Sequence, residues 1–591
     1  MEEKNLSKYL KRIGLPKGSA DFLAGKYGDK ILQIIAEKPM TLSPYLSSKE
    51  IFRARALDAK YRYAQPIFRM LEEESTFSPV SIFNIWDKCG KEDAVKKIKE
   101  NPYIIQGYED FKKLDDFALS RGENPRSKRR IEAAIKEVLD TCDSNRNPNL
   151  ERVHGSTCVP KKDLYQYTTD FLGDEELPES TFSEVLRSMH VARKLHIAYS
   201  LPETPVYPLH LAEIEYDTAR IIKRKLKKST QFDNLSTLID RAQAELGILL
   251  SDEQSNAVRM ALNSSVSVIT GGPGTGKTSV QKVLIEAFEW ATKCKSVRLM
   301  APTGQAAKRM TESTGYPATT IHKALGLLAG EKIIVKDDVF IDDGLIIADE
   351  ASMVDEELFH ALISHISDDS KLVIVGDIEQ LPSIGIGSVL RELILAEAVP
   401  TTRLTKVFRQ ASDSPIAYNA ARVKTGEQEY IENELFRFIE TGSGSTPEET
   451  SLKIAEAASA EYAQAVAAEG IENVICLTAF RRYTATGVNQ LNERLRKAVR
   501  KDIDEKTPFV VVEGKVFYEG DRIVYGKNKG QLVNGDLGVI KQVINPRSAI
   551  CSFGEGRDIS LIGAELEAID LAYAQTVHSV TCSCLKRAGV A

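Results

Sequence analysis

The stretch Val266–Ser279, VSVITGGPGTGKTS, narrows what this chain can fold into more than any other. Val266, Val268 and Ile269 make a short apolar strand pattern that ends at Thr270. Gly271-Gly272-Pro273-Gly274-Thr275-Gly276-Lys277-Thr278 then fits G-x-x-x-x-G-K-[ST] at every fixed position. Val280, Val283, Leu284 and Phe288 follow at helical spacing. A glycine turn before an ordinary helix is the plainer reading, but strand, loop and helix in this order are the context that a phosphate-binding loop needs. Glycines let backbone N–H groups close around phosphate oxygens, and the helix N-terminus adds partial positive charge. Lys277 then reaches the β/γ-phosphates and Thr278 can hold Mg²⁺.

A second strand pattern supplies what such a loop requires. Leu345-Ile346-Ile347-Ala348 delivers Asp349 and Glu350 to its C-terminal end. A buried strand ending in two acids has little structural merit of its own. Asp349 is expected to hold Mg²⁺ and Glu350 to position or deprotonate an attacking water. Leu372–Asp377 reads as another parallel strand, after which Gln380 is placed to bond a γ-phosphate. Arg409, in LTKVFRQ, is either a charge-stabilising arginine for phosphoryl transfer or a surface ion pair. Gln254 lies upstream, in the first turn of a helix that Ser251 caps, and its amide can read both donor and acceptor of an adenine edge. Loops at strand ends, APTGQAA with Thr303 and TTIH with His322, suit contact with phosphate or substrate.

At 591 residues the chain is too long for one core, and about three to five domains are expected. No apolar run is long enough to span a bilayer, and MEEKNLSKYLKR has no signal-peptide core. Eight cysteines without a CxxC pair point to reduced thiols and a cytoplasmic protein. A net charge of −6 does not advertise nucleic acid, but phosphate contact needs a local groove, not a basic whole.

Residues 1–120 read as a helical region, and 121–245 as a second helical domain. Gly14–Ala20 is either the turn of a helix-hairpin-helix, whose amides meet a DNA phosphate, or an ordinary connection. Asn101-Pro102-Tyr103, Asp115, Arg129-Arg130 and His154–Pro160 read as turns and caps of a bundle. A short β-like pair is expected near Ile197–Leu201 and Val206–Leu209. The run Lys223–Lys228 suits a solvated helix face or a DNA-phosphate contact equally. Residues 246–400 form the first α/β unit, within which Lys332–Val335 and Val339–Ile341 are expected to pair as a hairpin (329–343). Residues 401–591 form a second unit, interrupted by a β-rich insertion at about 508–565 whose turn is Asn534-Gly535.

These motifs in this order resemble the RecD-like DNA helicases of superfamily 1 with an extended N-terminus. The residues that carry the resemblance are Gln254, GGPGTGKTS, APTGQAAKR, TTIHKALG, DEASMVD, GDIEQLPSIGIG, LTKVFRQ, the Gly520-Asp521-Arg522 and Asn534–Gly538 stretches, and AYAQTVH. The fold implied is α/β: two RecA-like P-loop domains with a small SH3-like β insertion, preceded by an all-α N-terminal region. The resemblance implies ATP and Mg²⁺, with Gln254 and Gly271 through Ser279 lining the nucleotide site and Lys277, Glu350, Gln380 and Arg409 acting in hydrolysis. It implies a monomer that moves 5′→3′ on single-stranded DNA and opens duplexes carrying a single-stranded tail. Thr303, His322 and Thr576 would contact the strand, and the 329–343 hairpin would stand where the family's separating pin does. After AYAQTVH the family continues into a further strand and an arginine-bearing motif, whereas here Ser579–Ala591 reads SVTCSCLKRAGVA. The second unit is therefore expected to lack its last strand and helix. The alternative function is a motor that binds ATP and single-stranded DNA but hydrolyses and unwinds poorly.

Overall fold

A computed structural model describes residues 3–590 except 16, 73–76, 78, 109, 142–154, 229–231, 233, 294–295, 328–332, 337–338, 407–414, 428, 483, 513–514, 529, 531, 555 and 578–586. The chain forms two compact units, Met1–Glu213 and Ile214–Ala591.

The first unit is helical apart from a three-stranded antiparallel sheet. In that sheet Leu195–Ile197 pairs with Pro205–Pro208, and the expected β pair is thus present with its first strand two residues earlier. Helices Glu3–Arg12 and Lys17–Tyr27 flank the Gly14 turn. Gly14 takes φ +88°, a left-handed conformation that glycine reaches without penalty. Its N–H donates to Lys11 O (3.0 Å) and that of Leu15 to Leu10 O (3.1 Å). Both amides therefore close the preceding helix in a Schellman cap and are not offered to a phosphate. The NPY stretch ends in a buried polar centre. Tyr103 Oη donates to Asp115 (2.6 Å), which also receives Arg130 Nη2 (2.7 Å), and Arg130 reaches Leu172 O (2.9 Å). His154 lies outside the described residues.

The second unit opens on a six-stranded parallel sheet. Its order is Ala318–Thr320, Val297–Ala301, Leu345–Ala348, Lys371–Gly376, Val266–Gly271, Thr401–Leu404. Val266, Val268, Ile346, Leu372 and Ile374 enter one core; Ile269, Leu345, Ile347, Val373 and Val375 enter the other. Both faces are covered, which is why these strands read as unbroken apolar runs. One cover is helix Lys277–Thr292 with Asp252–Asn263 behind it; the other includes Glu356–Ser364. A parallel sheet carries all its strand ends to one edge, and there the loops of the motifs collect.

A second, smaller parallel sheet holds Ala574–Thr576, Val474–Thr478 and Arg587–Val590, with helices Pro447–Glu469 and Val488–Val499. The expected absence of a last strand is corrected here: Arg587–Val590 pairs in parallel with Val474–Leu477, through main-chain bonds that make little demand on sequence. The insertion is a five-stranded antiparallel sheet with a separate Phe509–Val512/Lys515–Tyr518 hairpin. Gly535, at the expected turn, has φ +94°. The chain is thus α/β, with a six-stranded and a three-stranded parallel sheet, a β insertion and a helical N-terminal region.

Two other expectations change. Among the described residues of 329–343 no hairpin ladder forms. Ile341 instead bridges Ile366 in parallel, its N–H donating to His365 O (2.8 Å), and Ile333, Val335 and Val339 pack on the core. Burial draws in these four apolar side chains, while Ile334 and Phe340 stay exposed. The basic run is neither free nor merely solvated. Lys225 is fully buried and donates to Ser367 O (2.6 Å), while Arg224 and Lys228 pair with Asp368 (2.9 Å) and Asp369 (2.7 Å).

Glu356, 8% exposed, faces Glu215, Asp355 and Glu392. Burial first, then these carboxylates, push its carboxyl up to about 7. A raised acid favours the folded state below its ordinary value, and that advantage is lost as pH rises through 7. Glu356→Gln is therefore expected to raise stability by about 1–3 kcal/mol at pH 8, with a gain that fades towards pH 4.5. Urea unfolding at the two pH values checks this, and an equal gain at both contradicts it.

Candidate functional site

The loop after Val266–Gly271 is built by close approach. A Cβ on Gly271 would stand 2.7 Å from Thr275 Oγ1 and 2.9 Å from Leu404 O. Gly274 (φ +78°) and Gly276 (φ +81°) turn the chain into helix Lys277–Thr292. Lys277 Nζ curls back to donate to Gly271 O (2.6 Å) and Gly272 O (3.2 Å). Thr278 is exposed in the first helical turn, with Ser279 half-buried beside it and Pro273 exposed on the loop.

Gln254 is brought to this loop, but as a brace. Its Oε1 accepts from Ser251 N (2.9 Å) in a capping box, and its Nε2 donates to Thr275 O (3.0 Å). The side chain is 4% exposed. Where an adenine-reading amide was expected, the structure has an amide already bonded to the protein on both sides.

Asp349 and Glu350 follow strand Leu345–Ala348, with Lys371–Gly376 lying between that strand and the loop's own. Gln281, 1% exposed on the helix after the loop, bridges the gap: its Nε2 donates to Asp349 Oδ2 (2.8 Å). Asp349 Oδ1 accepts from Glu350 N (2.8 Å). Burial raises the Asp349 carboxyl above its ordinary range, and these two neutral donors and Lys277 offset it in part. Burial and then Asp349 raise Glu350, against Lys277 and Arg309. Glu350 takes φ +52°, a strained backbone for a side-chain-bearing residue. A buried carboxylate held by neutral donors, with a lysine ammonium near, fits a divalent cation carried on a polyphosphate. Asp349 and Thr278 are the residues that would hold it.

At the neighbouring strand end Asp377 Oδ1 accepts from Glu379 N (3.1 Å), and Gln380 N donates to Asp377 O (3.1 Å), leaving Gln380 half-buried. Gly376 admits the carboxylate loop: a Cβ there would lie 3.2 Å from Ala351 N. Thr303 caps helix Gly304–Thr314, accepting from Ala306 N (3.2 Å). The next residues meet the β insertion, for Gln305 Nε2 donates to Gly535 O, and a Cβ on Gly304 would press Val533 at 3.0 Å. His322 is half-buried on the short helix Ile321–Ala324, and burial lowers its ring below the usual value. Thr576 ends its strand opposite Thr478. Arg409 lies outside the described residues. The sequence reading missed Gln281, since a lone glutamine on an amphipathic helix carries no motif, and it gave Gln305, within APTGQAA, no role of its own.

A family model described as an AAA domain matches residues 249–441, and one described as the ATP-dependent RecD2 DNA helicase HHH domain matches residues 67–146. In these two stretches the chain is similar to RecD-like helicases. It is 31% identical over 332 residues to the ATP-dependent RecD2 DNA helicase of Deinococcus radiodurans, covering 56% of this chain and 43% of that one. It is 34% identical over 164 residues to the RecBCD enzyme subunit RecD of Mycobacterium tuberculosis, covering 24% and 28%. A solved Pif1 helicase from Candida albicans aligns at 19% identity and TM-score 0.36, over 58% of this chain and 88% of that one. The chain thus spans less than half the length of these two curated relatives. Its matched HHH region starts well beyond Gly14–Ala20.

If Gln281 ties helix to carboxylate strand, Gln281→Leu leaves a buried acid one donor short. A cost of about 1–3 kcal/mol in urea unfolding is expected. An unchanged midpoint would mean that the bond contributes nothing.

Proposed function

We propose that the second unit is the motor of an ATP-dependent DNA helicase, which moves 5′→3′ on single-stranded DNA and couples hydrolysis to duplex opening. The observation that carries this reading is the single site formed by Lys277, Asp349 and Glu350, tied together through Gln281. The named activity of the D. radiodurans relative supports the choice of DNA.

In this reading the loop amides of Gly271–Gly276 receive the phosphates. Lys277 exchanges two neutral carbonyl acceptors for anionic oxygens, which makes stronger, charge-assisted bonds. Thr278 and Asp349 would hold Mg²⁺, which would supply charge neutralisation for the bound polyphosphate. Glu350 takes a proton from the attacking water. Burial makes its carboxylate a better base, and Lys277 and Arg309 partly oppose that upward shift. Gln380 bonds the γ-phosphate and Arg409 stabilises charge in transfer. Gln254 positions the loop and, with Gly271 through Ser279, completes the nucleotide site. Thr303, His322 and Thr576 contact the strand, and the chain works as a monomer on DNA with a single-stranded tail.

Steady-state ATP hydrolysis with and without single-stranded DNA tests the reading. DNA is expected to stimulate turnover, and Lys277→Ala to abolish it. Glu350→Gln should lower turnover about 10²–10⁴-fold while nucleotide still binds. Unwinding should need a 5′ tail, not a 3′ tail. Turnover indifferent to DNA would defeat the proposal, and hydrolysis-free binding of ATP and DNA would favour the non-hydrolysing alternative.

A further inference from the structure

Helix Ser48–Glu72 buries Ile51, Ala54, Tyr61, Ala64, Ile67, Phe68 and Leu71 in the first unit's core. Its other face is unusual. Phe52 is 59% exposed and Tyr63 is 71% exposed. Eleven residues separate them, three helical turns or about 16 Å along one face. Between them stand Arg55, Ala56 and Ala59, all exposed, and the two alanines leave the rings standing clear of the helix. Arg53 and Arg69 flank the stripe, also exposed.

Other exposed aromatics of this unit have partners. Phe22 and Tyr27 pack on Tyr45, with Lys26 over all three rings. Lys60, on the same long helix, pairs with Asp87. Among the described residues no aromatic ring stacks on Phe52 or Tyr63, and no carboxylate pairs with Arg53, Arg55 or Arg69. Charge adds direction: residues 1–66 hold thirteen lysines and arginines against seven acids, in a chain whose net charge is −6.

We propose that the outer face of Ser48–Glu72 binds single-stranded DNA outside the motor, with Phe52 and Tyr63 stacking on bases and Arg53 and Arg55 meeting phosphates. Exposed rings interleaved with cations match the two components of sequence-tolerant strand binding, base stacking and backbone attraction. A duplex hides its base faces, so flat rings on a convex helix select unpaired strand. The occupant rests on the reading of DNA as substrate; the placement on this helix does not follow from that reading. The face precedes residue 67, where the matched HHH domain begins.

The full chain, without nucleotide, is titrated against a fluorescein-labelled thymidine oligonucleotide and against a blunt duplex, over a range of salt. Each ring replaced, in Phe52→Ala and Tyr63→Ala, should weaken single-strand binding by at least about 5-fold, with the salt slope unchanged. Arg53→Ala with Arg55→Ala should make the slope of log K against log salt shallower by about 1.4. Tyr63→Phe should restore full affinity, which separates stacking from a folding defect. Variants that bind as the wild type does at every salt overturn the inference while leaving the motor reading intact, and so do equal losses on the duplex. A wild-type chain that binds no DNA at all defeats both.

Discussion

The bond from Gln281 to Asp349 is the tie on which the candidate site depends. The phosphate loop and the carboxylate strand are not neighbours in the sheet; Lys371–Gly376 lies between them. Sheet geometry alone therefore brings the two to the same edge without fixing their distance. A side chain reaching from the helix after the loop does fix it, and holds the acid at the same time. The price is desolvation, visible in the raised carboxyls of Asp349 and Glu350, and a cation bound there would relieve it.

Close packing sets the rest of the edge. Gly271 passes Leu404 O at a distance no Cβ would tolerate, and Gly376 passes Ala351 N at one that would crowd a Cβ. The loop after the carboxylate strand can then lie against the neighbouring strand end. Gln254 braces the phosphate loop from the far side, so its conformation is held by protein before any ligand arrives. The β insertion reaches back to this layer through Gly535 and Gln305, beside Thr303. A site expected to contact the strand is thus joined to the insertion, and any movement of one is felt by the other.

Much of this was legible in the residues. The phosphate loop, the carboxylate pair and the strands around them announce themselves, because a sheet buried on both faces writes continuous apolar runs. The insertion was likewise legible as a β-rich stretch with a turn at Asn534-Gly535, though Lys515–Tyr518 and Asp558–Ile562 were not read as strands. What failed to show was tertiary. Gln281 looks like any polar residue on a helix until its partner is known. Lys223–Lys228 reads equally as a solvated face or a DNA-phosphate contact until Ser367–Asp369 is found against it. Lys332–Ile341 has the composition of a hairpin, but Ile341 pairs with Ile366, and Ile333, Val335 and Val339 pack on the core. Gly14 has the sequence of a phosphate-binding turn, yet its amide and that of Leu15 serve a helix cap.

The central claim is that loop and carboxylates make one nucleotide site. Equilibrium binding of a fluorescent ATP analogue, with Mg²⁺ and with a chelator, tests it most directly when wild type is compared with Asp349→Asn. The account predicts that the wild-type chain binds more tightly with Mg²⁺ and that the variant loses that difference. Equal affinity in both conditions for the wild type, or an undiminished Mg²⁺ effect in the variant, would contradict it.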